Sequence, residues 1–152
     1  MKVLVTGVNG QLGYDVVKEL KSRGIECIGT DMADFDITDK TATAEFIKNY
    51  NPDAVVHCAA YTAVDRAEDD RETCFRVNVS GSENIAIACR EIDAKMLYVS
   101  TDYVYGGKGE KPFEVTDLVD PKNVYGKTKL GGENAVKDNL SRYFIVRTSW
   151  VF

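Results

Sequence analysis

A doubly wound α/β architecture, in which a parallel sheet carries helices on both faces, is predicted by three observations. Short runs rich in Val, Ile and Tyr alternate with longer segments of helical period, the pattern of successive strand-helix-strand units. The runs are almost continuously apolar, as suits strands covered on both sides. The first of them leads straight into a glycine-rich turn, Gly7-Val8-Asn9-Gly10-Gln11-Leu12-Gly13, that opens a helical segment.

Five strands are expected, over residues 2–6, 25–30, 54–59, 95–100 and 143–147. Leu12, Val16, Val17 and Leu20 recur at helical spacing ahead of Gly24, which is placed to end that first helix in the left-handed conformation. A second helix covers 39–50 and stops before Pro52, because the residue preceding a proline is pushed out of the helical region. A third runs over 71–91 through Phe75, Val79, Ile85 and Ala88, and a fourth over 122–138, behind the Gly- and Pro-containing loop 106–121. Neither an internal repeat nor a linker interrupts the series.

Composition narrows the function classes. With 44% hydrophobic and 28% charged residues and 3 Pro in 152, disorder, collagen and low-complexity readings are excluded. The net charge of −5, without a basic run, disfavours nucleic acid as a partner, because such binding is dominated by phosphate neutralisation. The apolar start stops at Gly7, too soon for a secretory signal, and no stretch approaches the ~20 apolar residues of a membrane helix. A cytoplasmic protein without a membrane partner is the expectation. Cys27, Cys58, Cys74 and Cys89 form no CxxC pair and are expected as free buried thiols. His57, the only histidine, sits between Val56 and Cys58 and is expected as a satisfied core residue. The acidic run Glu68-Asp69-Asp70 with Glu72 is expected as solvated surface near a helix start, and no metal is expected.

The glycine turn carries the first chemistry. Gly7 permits the tight turn, Gly10 lets a pyrophosphate approach the backbone, and Gly13 lets helix and strand lie close. The free amides and the positive end of the helix dipole then face the phosphates, with Asn9 in the turn between Gly7 and Gly10. The spacing is GxxGxxG, one residue longer than GxGxxG between the first two glycines. Asp31, at the end of the second strand and about 20 residues on, is placed to accept hydrogen bonds from an adenosine ribose, and Asp36 stands near the adenine end. The charge of Asp31 would repel a 2′-phosphate, and DMADFD has no Lys or Arg to compensate, so NAD(H) is favoured over NADP(H). A solvated loop carboxylate is the competing role for Asp31. The fold expected is thus Rossmann-like, and residues 1–152 read as a dinucleotide-binding domain. Because the chain stops straight after a strand, a longer parent with a C-terminal substrate domain is expected.

Tyr125 and Lys129 stand four apart, on one face of a helix. An ammonium beside a phenol is expected to lower the phenol's pKa, and Lys129 would also reach a nicotinamide ribose. Thr101 or Ser100, at the end of the fourth strand, would hydrogen-bond a substrate carbonyl.

The glycine turn, the Ser-Thr pair and the YxxxK spacing together resemble the extended short-chain dehydrogenase/reductase family over the whole chain. Four runs narrow the likeness: Ala59 to Glu68 (AAYTAVDRAE), Ser100 to Gly106 (STDYVYG), Asn123 to Leu130 (NVYGKTKL) and Arg147 to Phe152 (RTSWVF). They resemble the dTDP-4-dehydrorhamnose reductases within that family. The resemblance implies reduction of the C4 ketone of dTDP-4-dehydro-6-deoxy-L-mannose to dTDP-L-rhamnose, for cell-surface polysaccharide, and leaves NADP(H) open as cofactor. It implies Tyr125 as proton donor, Lys129 as its activator and ribose ligand, and Thr101 as donor to the carbonyl. Gly10, Gln11 and Leu12 would line the pyrophosphate, Asp36 and Ile37 the adenine, and Ala59, Ala60, Tyr61 and Thr62 the middle of the cofactor. Thr101, Asp102 and Trp150 would meet the dTDP-sugar, although Trp150 also suits a core aromatic role. Asn78 would help arrange the cofactor site and its water. Tyr105 stands where Phe is usual, and Gly106-Gly107 replaces Asp-Gly.

A nucleotide-sugar dehydratase needs a Glu after Thr101-Asp102, where Tyr103 stands, and the four runs disfavour a 4-epimerase. A regulatory subunit resembling the accessory chain of methionine adenosyltransferase keeps such a fold and acts by binding a partner; intact Thr101, Tyr125 and Lys129 favour an enzyme. The sequence does not fix the oligomeric state, and a homodimer is compatible with it.

Overall fold

The computed structural model describes residues 1–107 and 111–151, so Phe152 of the last run and positions 108–110 of the long loop lie outside the described residues. Strands β1 (Lys2–Thr6), β2 (Glu26–Thr30), β3 (Ala54–His57), β4 (Lys95–Thr101) and β5 (Tyr143–Thr148) form one sheet in the order β2-β1-β3-β4-β5. All four pairings are parallel. The helices are α1 (Gln11–Ser22), α2 (Lys40–Tyr50), α3 (Arg71–Phe75), α4 (Ser82–Glu91) and α5 (Val124–Asn139).

The chain leaves β1 toward one edge through α1, then returns past it to build β3, β4 and β5 in the other direction. Right-handed crossovers therefore put α1 on one face and α2, α4 and α5 on the other, where α4 packs against both α2 and α5. The expected doubly wound arrangement is the one found. The reversal of direction lies between β1 and β3, and open sheets of this kind bind ligands in the crevice at that point. Leu4, Val55, Met96 and Tyr98 of the sheet meet Ile47, Ile85, Ala88, Cys89, Val136 and Leu140 of the helices in the core.

The differences from expectation are local and have causes. The third strand ends at His57, two residues early, because the Ala59 amide turns to donate to Thr6 Oγ1 at 3.3 Å. The span 71–91 is helical throughout but widens into a π-helical stretch, Arg76–Gly81, between α3 and α4. Such turns gather at functional sites, and this one contains Asn78. Helix α5 begins at Val124 because Asn123 caps it, its side chain accepting from the Gly126 amide at 2.7 Å. Helix α1 ends as expected: the chain passes through Arg23 into Gly24 at φ 68°.

His57 is a satisfied core histidine: Nδ1 lies 2.8 Å from Thr6 Oγ1 and Nε2 3.2 Å from Ser82 Oγ. Burial, with the Lys129 charge, pulls its pKa down to about 3, so it is neutral. All four cysteines are free, but only Cys74 and Cys89 are buried, Cys27 and Cys58 being half-buried. The acidic run is more than solvated surface. Glu68 accepts from the Val124 amide at 2.8 Å, and Asp70 accepts from the Tyr61 hydroxyl at 3.2 Å. Among the described residues no helix is long and apolar enough to cross a membrane.

Candidate active site

Two adjoining cavities run along the carboxyl ends of the strands and share Gly7, Gly10, Cys58, Ala60 and Thr62. One, of about 480 Å³, lies over β1 and β2; the other, of about 340 Å³, lies over β4 and the start of α5. Together they make one cleft across the topological reversal.

The first cavity is built largely from backbone. Gly7 sits at φ 75° and its amide donates to Thr30 O at 2.8 Å. A side chain there would put Cβ 2.6 Å from the Ala59 nitrogen, and one at Gly13 would put it 2.3 Å from Gly7 O, so helix α1 can approach β1 this closely only with glycine. No side chain caps α1, and its first turn holds no acid, which leaves its amides and positive dipole end for an anion. Asn9, Asp31, Asp36, Ile37 and residues 59–62 line this cavity. Asp31 is engaged: its carboxylate accepts from the Asn9 amide and from the Met32 amide, each at 2.8 Å. The competing role of a merely solvated acid therefore does not describe it; it holds the glycine turn to the end of β2.

The second cavity gathers Gln11, Leu12, Gly13, Ser100, Thr101, Tyr125 and Lys129. Burial pushes the Tyr125 phenol up, against hydrogen bonding from Thr101 that pulls it down, and with Asp102 adding to the rise. This reverses the expectation that Lys129 lowers it. The reason is where Lys129 points: Nζ donates to Val99 O at 2.7 Å and stands 4.3 Å over the Tyr98 ring. Lys129 is only 3% exposed, and burial, opposed chiefly by the Glu133 charge, pulls its pKa down to about 8.

The Ser100 hydroxyl is committed, donating to Glu133 Oε1 at 2.7 Å, which leaves Thr101, of the two, to face the cleft. Thr101 donates to Asp102 Oδ1 at 3.1 Å and accepts from the Tyr103 amide. The Tyr103 ring meets Tyr125 edge-on at 5.7 Å. Trp150 is 76% exposed, so a core role is corrected: it projects beyond the edge strand.

Asn78 does not line either cavity. It is buried behind the wall, accepting from the Tyr61 amide at 2.8 Å and donating to Tyr61 O and to Thr128 Oγ1. It holds residues 61–62 against α5, so its bearing on a cofactor is through position. Sequence reasoning missed Asn123, whose signal was a capping residue type directly before the helical run, and Glu133, whose signal was its place four residues beyond Lys129.

The RmlD substrate binding domain matches residues 1–152. The chain belongs to the RmlD family. An RmlD-family relative from Mycolicibacterium smegmatis, a dTDP-4-dehydrorhamnose reductase, is 40% identical over 99% of this chain and 46% of its own length. The solved dTDP-4-dehydrorhamnose reductase of Clostridium acetobutylicum superimposes with a TM-score of 0.97 at 43% identity, over 100% of this chain and 54% of that one. The Bacillus anthracis enzyme, solved in complex with NADP, gives 0.96 at 38% identity, over 99% and 54%. The chain spans about half the length of the RmlD-family relatives it matches.

Proposed function

We propose that this chain carries the cofactor cleft and the proton-transfer residues of an NAD(P)H-dependent dTDP-4-dehydrorhamnose reductase. The reaction is reduction of the C4 ketone of dTDP-4-dehydro-6-deoxy-L-mannose to dTDP-L-rhamnose, in the cytoplasm. The observation that carries the reading is the meeting of Thr101, Tyr125 and Lys129 with the glycine turn, which lines both parts of the cleft. Relatives of that name, one of them solved with NADP, support it.

The residues fit a dinucleotide. An uncapped helix end behind a turn closed to side chains at Gly7 and Gly13 suits a pyrophosphate, which Gly7, Asn9, Gly10, Gln11, Leu12 and Gly13 would hold. Asp31 would take the adenosine ribose, Asp36 and Ile37 the adenine, and residues 59–62 the middle. Tyr125 and Lys129 would take the nicotinamide ribose. When bound, the reduced nicotinamide supplies hydride to the ketone carbon.

The remaining steps belong to the protein. Burial keeps the Tyr125 phenol protonated at neutral pH, the form a general acid needs if it is to give its proton to the ketone oxygen. Thr101 Oγ1, beside it, would donate to the same oxygen and orient it. With a pKa of about 8, Lys129 is mostly an ammonium at neutral pH; turned from the Val99 carbonyl toward Tyr125, it would stabilise the phenolate left behind. Asp102 and Trp150 would contact the dTDP-sugar, and we read residues 1–152 as the dinucleotide domain, the sugar-nucleotide pocket being completed outside it. NAD(H) is the cofactor we favour, because Asp31 lines the cleft and its charge would repel a 2′-phosphate.

The test is NADH oxidation by the protein at its full natural length on addition of dTDP-4-dehydro-6-deoxy-L-mannose. Consumption that needs the sugar supports the reading. NADH binding without consumption would replace it with a regulatory, partner-binding role.

A further inference from the structure

Behind the reducing end of the cleft lies a charge that the proposed chemistry does not use. Glu133 is fully buried, 0% exposed, and its carboxylate is saturated. Oε1 accepts from Ser100 Oγ at 2.7 Å and Arg147 Nε at 2.8 Å; Oε2 accepts from Arg147 Nη2 at 2.7 Å and Lys137 Nζ at 3.3 Å. Arg147 donates in turn to the Tyr105 hydroxyl at 2.7 Å, and that hydroxyl donates to Glu114 O at 3.0 Å. The Tyr at 105 therefore has work that a Phe there could not do.

The chain positions of these partners matter. Ser100 directly precedes Thr101 on β4, Arg147 directly precedes Thr148 and Ser149 on the cleft rim, and Glu133 lies on the same helix as Tyr125 and Lys129. One carboxylate thus ties together all three elements around the reducing end. As a stabilising device this is a poor choice, since a buried ion pair is often no better than apolar packing of the same volume. Its use is to fix relative position, because a bidentate Arg-carboxylate pair tolerates little displacement.

We propose that Glu133 is the positioning residue of the reducing site, holding the β4 end with Thr101 and the β5 end with Thr148 against the helix that carries Tyr125 and Lys129. The inference rests on the reductase reading for its effect on turnover, and on Lys129 alone for its effect on cofactor binding. Lys129 is faced by His57 at the end of β3, Cys58 just beyond it, Cys74 from α3, the Tyr98 ring and Val99 O from β4, and Glu133 from its own helix. His57 is neutral and the Cys58 thiol is raised by burial to about 11. Glu133 is held below the ordinary carboxylate range, because the Arg147 and Ser100 hydrogen bonds and the Arg147 and Lys137 charges together outweigh the effect of its burial. It is therefore the standing negative charge that supports the ammonium.

The experiment compares the full-length protein with its Glu133→Gln and Ser100→Ala variants in kcat, KM and melting temperature, and follows NADH affinity against pH without sugar. Glu133→Gln is expected to lower kcat about tenfold or more while KM for NADH changes by less than about threefold, since the glycine turn is untouched. The alkaline loss of NADH affinity is expected to move about one pH unit lower, because Lys129 loses its supporting charge. Ser100→Ala, which keeps the charge, is expected to lower kcat and leave that midpoint in place. A lowered melting temperature with kcat and the midpoint unchanged would overturn the proposal, leaving Glu133 a structural residue. So would an NADH affinity that shows no alkaline limb in either protein. If no ketone is reduced by the parent, the reductase reading fails, and the shifted or unshifted midpoint still decides the role of Glu133 toward Lys129. Should Glu133→Gln fail to fold, Ser100→Ala decides by its kcat.

Discussion

The two halves of the cleft are made of different material. The half over β1 and β2, and the floor it shares with the other half, rest on backbone: a left-handed glycine, a helix end without a cap, and contacts at Gly7 and Gly13 that exclude a Cβ. The half over β4 and α5 is side chain, with Thr101, Tyr125 and Lys129 on the cleft and Ser100, Glu133 and Arg147 behind them. A backbone site recognises a common group, a phosphate, and depends on a few adjacent positions. A side-chain site does chemistry, and depends on residues from separate strands and helices arriving together.

The comparison breaks most completely at Gly13. Gly13→Ala is expected to abolish NADH binding and to cost about 3 kcal/mol of stability, since its Cβ would lie 2.3 Å from Gly7 O. Titration calorimetry and denaturant unfolding measure both, and retained affinity would show that the turn can relax.

Tyr125→Phe should separate the halves. NADH binding is expected to stay within a few-fold while kcat falls by about 10² or more, the scale of a lost general acid. A modest fall in kcat would transfer the proton donor's role to another group.

Lys129 sharpens the comparison through pH. Its pKa in the folded state, about 8, lies below its ordinary 10.5, so between those values the unfolded chain binds the extra proton and stability contributed through this group rises with pH. Activity is expected to run the other way, falling as pH passes about 8 and the ammonium is lost. Without cofactor, Lys129→Met is therefore expected to be at its most favourable relative to the parent below pH 8, with the difference narrowing up to about 10.5. Parallel denaturation series would show it, and a difference constant with pH would place the Lys129 pKa near its ordinary value.

The smallest effect is expected at Asp31, where side chain meets backbone site. Asp31→Ala should weaken NADH by about tenfold, one lost charge-assisted hydrogen bond, and NADPH by less. Because Asp31 also accepts from the Asn9 amide, equal losses for both cofactors would reduce it to a support for the turn.

The same division explains what was readable in advance. Strands β1 to β5 and helix α2 fall within two residues of expectation, and α1 ends ahead of Gly24 as expected, because apolar periodicity, Gly24 and Pro52 act over a few positions. The π-helical stretch did not, since a wide turn has no compositional signature and this one depends on Asn78 meeting Tyr61 and Thr128. Spacing placed Tyr125 and Lys129 on one face but misjudged their interaction. The Val99 carbonyl and Tyr98 ring that hold the Lys129 ammonium come from another strand.

Local sequence was enough for the succession of strands and helices, the glycine turn and the Tyr125-Lys129 spacing, because each is set by residues within one helical turn or one strand of each other, and the alternation of elements then pointed to the doubly wound class. The folded chain was needed to show that Tyr125 is raised rather than lowered, that the Ser100 hydroxyl on the cleft wall is given to Glu133, that Asn78 works from behind the wall, and that Trp150 lies exposed. Burial and partnership are properties of the folded surroundings, and those surroundings are assembled from residues far apart in the chain.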